Sequence, residues 1–153
     1  MNLDTLIAIE EIRQLMARYA RYADAKRWGD LAGLFTPDAT FTSHAVDGGI
    51  VADMEGRQAI EENLSAVNAG DVVPIHLFLT SEIEPTGPGT AHGIYAMADL
   101  IYRGESFTGG EGANLPDFRV MRGWGHYDAD FVKVGGEWRI HTLVQTRTRL
   151  EFE

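Results

Sequence analysis

The sequence predicts an α+β fold, three helices in the N-terminal half followed by a large, mostly antiparallel sheet. Three observations carry this. An uninterrupted amphipathic run opens the chain, a second helical pattern begins at Arg57, and from Val72 onward four long stretches rich in β-formers are bounded by glycine, proline or charged turns. At 153 residues the chain has the length of a single domain, 1–153, with no internal repeat or linker.

From Thr5 to Asp24, Ile9, Ile12, Met16, Tyr19 and Ala23 recur at three- and four-residue steps, with Asp4 or Thr5 as the expected N-cap. A second helix is expected over Trp28 to Phe35, closed by Thr36-Pro37-Asp38 because proline disfavours helical geometry in its predecessor. Thr40-Phe41-Thr42 reads as a strand, Gly48-Gly49 as a turn and Ile50 to Met54 as a second short strand. Arg57 to Val67 follows as a helix with Ile60 and Leu64 inward, ended by Asn68-Ala69-Gly70. The four long strands are Val72 to Glu84, Thr90 to Arg103, Phe118 to Val134 and Glu137 to Phe152.

On the second of these, Ile94, Ala96, Ala98 and Leu100 alternate with Tyr95, Met97, Asp99 and Ile101, so both faces are mostly apolar. A curved sheet with a pocket on one side satisfies that pattern, as does a second subunit packed on the outer face; a homo-oligomer, dimer or trimer, is therefore expected. The glycine-rich stretch from Gly104 to Pro116 reads as a long loop, either a lid or a plain hairpin tip.

The balance of 13 basic against 23 acidic residues gives a net charge of −10, which repels nucleic acid and anionic membrane surfaces alike. With no cysteine there can be no disulfide or thiolate chemistry, and the expected compartment is the cytoplasm. Met1-Asn2-Leu3-Asp4 has no secretory character, and no apolar run reaches the roughly 20 residues of a membrane span.

No phosphate loop, nucleophile elbow or dinucleotide fingerprint is present; Gly109-Gly110-x-Gly112 lacks the flanking strand and helix. His92, His126 and His141 offer no close-spaced ligand pair, so neither a metal nor an organic cofactor is expected. What stands out is five polar residues inside apolar, element-forming segments: Tyr19 and Asp24 on the first helix, His76, Asp99 and Arg147 on strands. Buried charges are costly unless paired, so such residues gather as structural ion pairs or around a functional cavity.

The phrase from Ile12 to Phe35, the Gly56-Arg57-x-x-Ile60 start of the third helix and the closing Gly136-Glu137-Trp138-Arg139-Ile140 resemble SnoaL-like members of the nuclear transport factor 2-like superfamily. That resemblance implies a cone-shaped roll, a curved sheet on three helices. Within it, the pattern is similar to that of the bile-acid 7α-dehydratases and, more distantly, the scytalone dehydratases, which places active-site roles on Tyr19, Asp24, His76, Asp99 and Arg147.

The chemistry so implied is cofactor-independent removal of water from a hydroxylated, apolar, polycyclic or steroid-like ketone. His76 would be the general base, Asp24 its orienting carboxylate and Tyr19 the donor to the enolate oxygen. Asp99 would be a second acid/base or an anchor for the leaving group, with Arg147 its charge partner. Ile12, Met16, Phe78, Tyr95 and Met97 are the expected apolar lining. Three alternatives stay open: ketosteroid-type isomerisation or polyketide cyclisation with the same parts, epoxide hydrolysis by Asp24, Arg147 and Asp99, and ligand binding without turnover.

Overall fold

The computed structural model describes residues 1–108 and 116–153. Helix α1 (Leu3–Asp24) is capped by Asn2, whose side-chain oxygen accepts from the Thr5 amide at 2.9 Å. The expected cap, Asp4 or Thr5, instead lies inside the first turn, because Asn2 already supplies the acceptor one turn earlier. Ile12, Leu15, Met16, Tyr19 and Ala23 form the buried face of α1.

Helix α2 (Trp28–Ala32) is shorter than expected and gives way to β1 (Phe35–His44). Pro37 does not end a helix here; Gly33 and tertiary pairing end it earlier. The Ile140 amide donates to the Leu34 carbonyl at 2.8 Å, and the buried Phe35 pairs with Ile140. β2 (Ile50–Glu55) returns antiparallel to β1 through the turn at Gly48, whose φ of 87° suits glycine. Helix α3 (Arg57–Val67) is locked to the start of β1 by Arg57, whose guanidinium donates to the Phe35 carbonyl.

Strands β3 (Val72–Gly87), β4 (Thr90–Arg103), β5 (Val120–Val134) and β6 (Glu137–Phe152) complete a six-stranded sheet of order β2-β1-β6-β5-β4-β3. All neighbours are antiparallel except β1 with β6. This is the α+β roll that the sequence predicts. Its concave side takes α1, and the core lies between Ile12, Leu15, Met16 and Tyr19 of that helix and Phe35, Tyr127, Phe131, Ile140 and Leu143 of the strands. Glu11 fastens the N-terminal half of α1 to the β5–β6 hairpin, accepting from the Trp138 indole at 3.0 Å and from Lys133 at 3.1 Å.

Among the described residues no helix is long and apolar enough to cross a membrane. Residues 109–115, within the expected Gly104 to Pro116 loop, lie outside the described residues. The segment leading into them is tied down: the Asp71 carboxylate accepts from the Ser106 hydroxyl at 2.6 Å and from its amide at 3.2 Å.

On the convex face His92 Nδ1 meets Asp130 at 2.8 Å, and the other Asp130 oxygen accepts from Thr142 at 2.9 Å. The hydrogen bond to Asp130, with Asp128 and Glu84 nearby, raises the His92 pKa above its ordinary 6.5 against the pull of partial burial. A raised folded-state pKa contributes stability that is whole below about 6.5 and disappears as pH climbs through the raised value. His92→Asn should therefore lower the melting temperature at pH 6 and have a smaller effect at pH 9; thermal melts at both values check this.

Candidate active site

Tyr19 and Asp24 lie five residues apart on α1, which turns them about 140° from one another around the helix axis. Tyr19 consequently enters the core, only 2% exposed, while Asp24 at the helix end faces β3. There a single carboxylate oxygen of Asp24 accepts two hydrogen bonds from His76, the backbone amide at 2.8 Å and ring Nδ1 at 2.9 Å. An ionised carboxylate has no proton to give, so Nδ1 carries the hydrogen, and the neutral form of the ring has its lone pair on Nε2. The ring packs edge-on to Tyr19, 6.4 Å between centroids at 87°.

His76 lines a cavity of about 330 Å3 on the concave side, together with Tyr19, Asp99 and Arg147. Four of the five polar residues singled out by sequence thus share one cavity, and Asp24 reaches it through the imidazole. Asp99 and Arg147 form a two-pronged pair at 2.6 and 2.8 Å, both side chains almost fully buried. Burial alone would lower the Arg147 pKa, but the hydrogen bond and charge of Asp99 outweigh it and raise it. Because Asp24 is bonded to His76, the carboxylate–arginine–carboxylate set that epoxide hydrolysis calls for is not assembled.

β5 separates β4 from β6, and the pair crosses it opposite Gly123, the partner of Asp99 in the ladder. A methyl group at Gly123 would overlap both the Arg147 guanidinium and the Asp99 carboxylate. Glycine is required there for close approach of the two charges rather than for backbone freedom.

Two polar groups adjoin this set in the cavity wall, Tyr127 and Gln145. Ser43 donates to the Gln145 carbonyl at 2.7 Å, and the Gln145 amide donates to the Tyr127 hydroxyl at 3.1 Å. Tyr127 in turn adjoins Tyr19, ring centroids 6.0 Å apart. Burial, then the neighbouring Tyr127 and Asp99, raise the Tyr19 pKa well above 10; burial and Asp99 likewise raise Tyr127. Both phenols therefore stay protonated and can donate. Tyr127 and Gln145 escape single-residue reading, but strand periodicity points to them: Leu143, Gln145 and Arg147 alternate along β6, as do Gly123, Gly125 and Tyr127 along β5.

The apolar lining differs from expectation. Ile12 and Met97 are in the solid core, Met97 with its sulfur 3.9 Å from an Arg147 nitrogen. Met16, Phe78 and Tyr95 border a second, outer groove between α1 and β3, which Asp24 and His76 also line, so His76 stands between the groove and the cavity. Because α1 occupies the middle of the concave face, the cavity opens beyond it and is lined instead by Phe41, Met54, Leu64, Ile101, Phe118 and Met121. Among the described residues no cluster of histidine and carboxylate side chains could hold a metal.

Residues 4–144 match the SnoaL-like domain family. The chain belongs to that family, within the nuclear transport factor 2-like superfamily. This SnoaL-like domain is 26% identical over 141 residues to a Gibberella zeae protein assigned as a cyclase, a match spanning 89% of this chain and 88% of that one. A Novosphingobium aromaticivorans protein assigned as a scytalone dehydratase shares its fold with a TM-score of 0.78 at 18% identity, covering 97% of this chain and 89% of the other. The type-3 hexachlorocyclohexane dehydrochlorinase of Novosphingobium barchaimii gives 0.78 at 17% identity, covering 100% and 94%. At such identities the two structures speak for the fold.

If Gly123 is the space that the Asp99–Arg147 pair needs, Gly123→Ala should cost about 3–5 kcal/mol, the penalty for breaking a buried ion pair. The same substitution should be nearly silent in an Asp99→Ala/Arg147→Met background, because neighbours sharing one interaction are not additive. Urea denaturation of the four proteins measures both.

Proposed function

We propose that this SnoaL-like domain is a cofactor-independent lyase that removes water from a small, apolar hydroxy-ketone. The observation that carries the reading is the Asp24–His76 contact at 2.9 Å, which leaves Nε2 unprotonated on a ring that lines the cavity. An imidazole so held can serve as a general base through Nε2.

The proposed step begins with Nε2 of His76 taking the acidic proton beside the substrate carbonyl. The imidazolium that forms is stabilised by the Asp24 carboxylate across the ring. Negative charge developing on the carbonyl oxygen is met by the protonated Tyr19 and its neighbour Tyr127, preorganised donors in a mostly apolar chamber. As the enolate collapses, the hydroxyl departs with the proton that His76 returns, so the enzyme ends as it began. Asp99 can accept a hydrogen bond from the departing hydroxyl, while Arg147 holds that carboxylate in place by its two-pronged contact.

The cavity volume falls at the low end of the roughly 300–1,000 Å3 usual for small-molecule sites, which favours two or three fused rings. The relative assigned as a cyclase and the neighbours whose names denote a dehydratase and a dehydrochlorinase agree with small-molecule conversion. Exposed Val73, Leu77 and Trp124 are apolar surface in keeping with the proposed homo-oligomer.

A panel of one- to three-ring β-hydroxy-ketones tests the reading. His76→Ala should fold, bind and lose turnover by about 10²–10⁴-fold, the span of general-base catalysis. Tyr19→Phe should lose less than Tyr19→Phe/Tyr127→Phe, whose loss of both donors should reach about 10²–10³-fold or beyond. Undiminished turnover in folded His76→Ala would refute the assignment.

A further inference from the structure

Asp99, Ile101 and Arg103 alternate along β4 and all three line the cavity. Four residues at a rise of about 3.3 Å put Arg103 some 13 Å beyond Asp99, at the end of the cavity where β4 finishes. The Arg103 guanidinium lies 3.6 Å from the Phe118 ring centroid and 4.4 Å from that of Phe107. Aromatic contact occupies the flat of a guanidinium and leaves its N–H edge for ligands.

Among the described residues that edge is unspent. Among the described residues the Arg103 guanidinium makes no hydrogen bond, and its nearest carboxylate, Asp117, is 3.9 Å away on a fully exposed side chain. The Arg103 side chain is itself only 15% exposed. Arg147 shows the contrast: in the same cavity, its fork is wholly taken by Asp99. Burial lowers the Arg103 pKa, Asp117 opposes this and the neighbouring Arg119 adds to it, as befits a cation short of counter-charge. Arg119 donates to the Gly104 carbonyl at 2.9 Å, so a second guanidinium stands at the same rim. The facing acid in the cavity wall, Asp53, accepts from Thr42 at 3.0 Å.

We infer that Arg103 is a specificity-determining residue that anchors an anionic group, a carboxylate, sulfonate or phosphate, at the end of the substrate remote from His76. The inference rests on the proposed use of this cavity as the substrate site. A planar oxyanion accepts two parallel N–H bonds from such a fork, which fixes orientation as well as adding affinity. On a chain of net charge −10, a local cation is what would draw an anion to this rim. The substrate is then an elongated ring system, with its reacting carbon near His76 and its acid near Arg103.

Two probes sharing one aromatic framework test this, 8-anilinonaphthalene-1-sulfonate and the uncharged N-phenyl-1-naphthylamine, titrated by fluorescence against the folded chain. The wild type should bind the sulfonate roughly tenfold or more tightly than the neutral probe at low salt, the gap narrowing as salt rises. In R103M the two affinities should come within about twofold, and D117N should tighten the sulfonate by removing the competing carboxylate. R103K keeps the charge without the fork and should show an intermediate preference, which holds the test if R103M unfolds. M121W, which fills the cavity, should weaken both probes.

A wild type indifferent to the sulfonate, a preference that survives R103M, parity of R103K with wild type, or sulfonate binding that M121W leaves intact would each overturn the anchor. The probes are not substrates, so retained turnover in His76→Ala would end the lyase reading without touching this result.

Discussion

Strand β3 is an edge of the sheet, so the groups it turns away from β4 must find partners elsewhere or face water. At His76 the partner is Asp24, the last residue of α1, and one carboxylate oxygen takes both the backbone and the ring N–H. The bond joins helix to strand, closes one wall of the cavity and chooses the imidazole tautomer. The position of Tyr19, one and a half turns back along the same helix, follows from where that end is pinned. Without the carboxylate the ring would be free to turn and either nitrogen could carry the proton.

Asp99 and Arg147 answer a different physical problem. Two charges in a nearly dry chamber pay a desolvation cost that only good geometry offsets, and here the guanidinium meets both carboxylate oxygens. The pair needs a strand position with no side chain between its partners, and Gly123 provides it. Its charge also acts on the phenols nearby: Asp99 helps burial hold Tyr19 and Tyr127 in the protonated form. A structural ion pair thereby shapes the chemistry available to its neighbours.

Much of this was readable from residues alone. The 3.6-residue period placed the α1 core, and α3, β4 and β6 came out with the expected bounds because glycines, prolines and charged turns punctuate them. The short α2 is not legible in this way, because its end depends on pairing with Ile140, a contact more than a hundred residues away. The polar site set was legible because buried charge is conspicuous in apolar segments. The apolar lining is legible only in part: Met16, Phe78 and Tyr95 share the outer groove with Asp24 and His76, but which of two inward-facing rows meets the helix and which meets the cavity depends on where α1 crosses the sheet. Ile12, Met16 and Met97 therefore pack as core, while Phe41, Met54 and Leu64, from β1, β2 and α3, face the open space.

The proposed chemistry depends on the proton at Nδ1 of His76. Long-range proton–nitrogen NMR at neutral pH reports the tautomer directly. The expected spectrum has a protonated Nδ1 and a bare Nε2 in the wild type, with that preference lost in Asp24→Asn. A wild-type ring protonated at Nε2, or a tautomer indifferent to the Asp24 substitution, would contradict it.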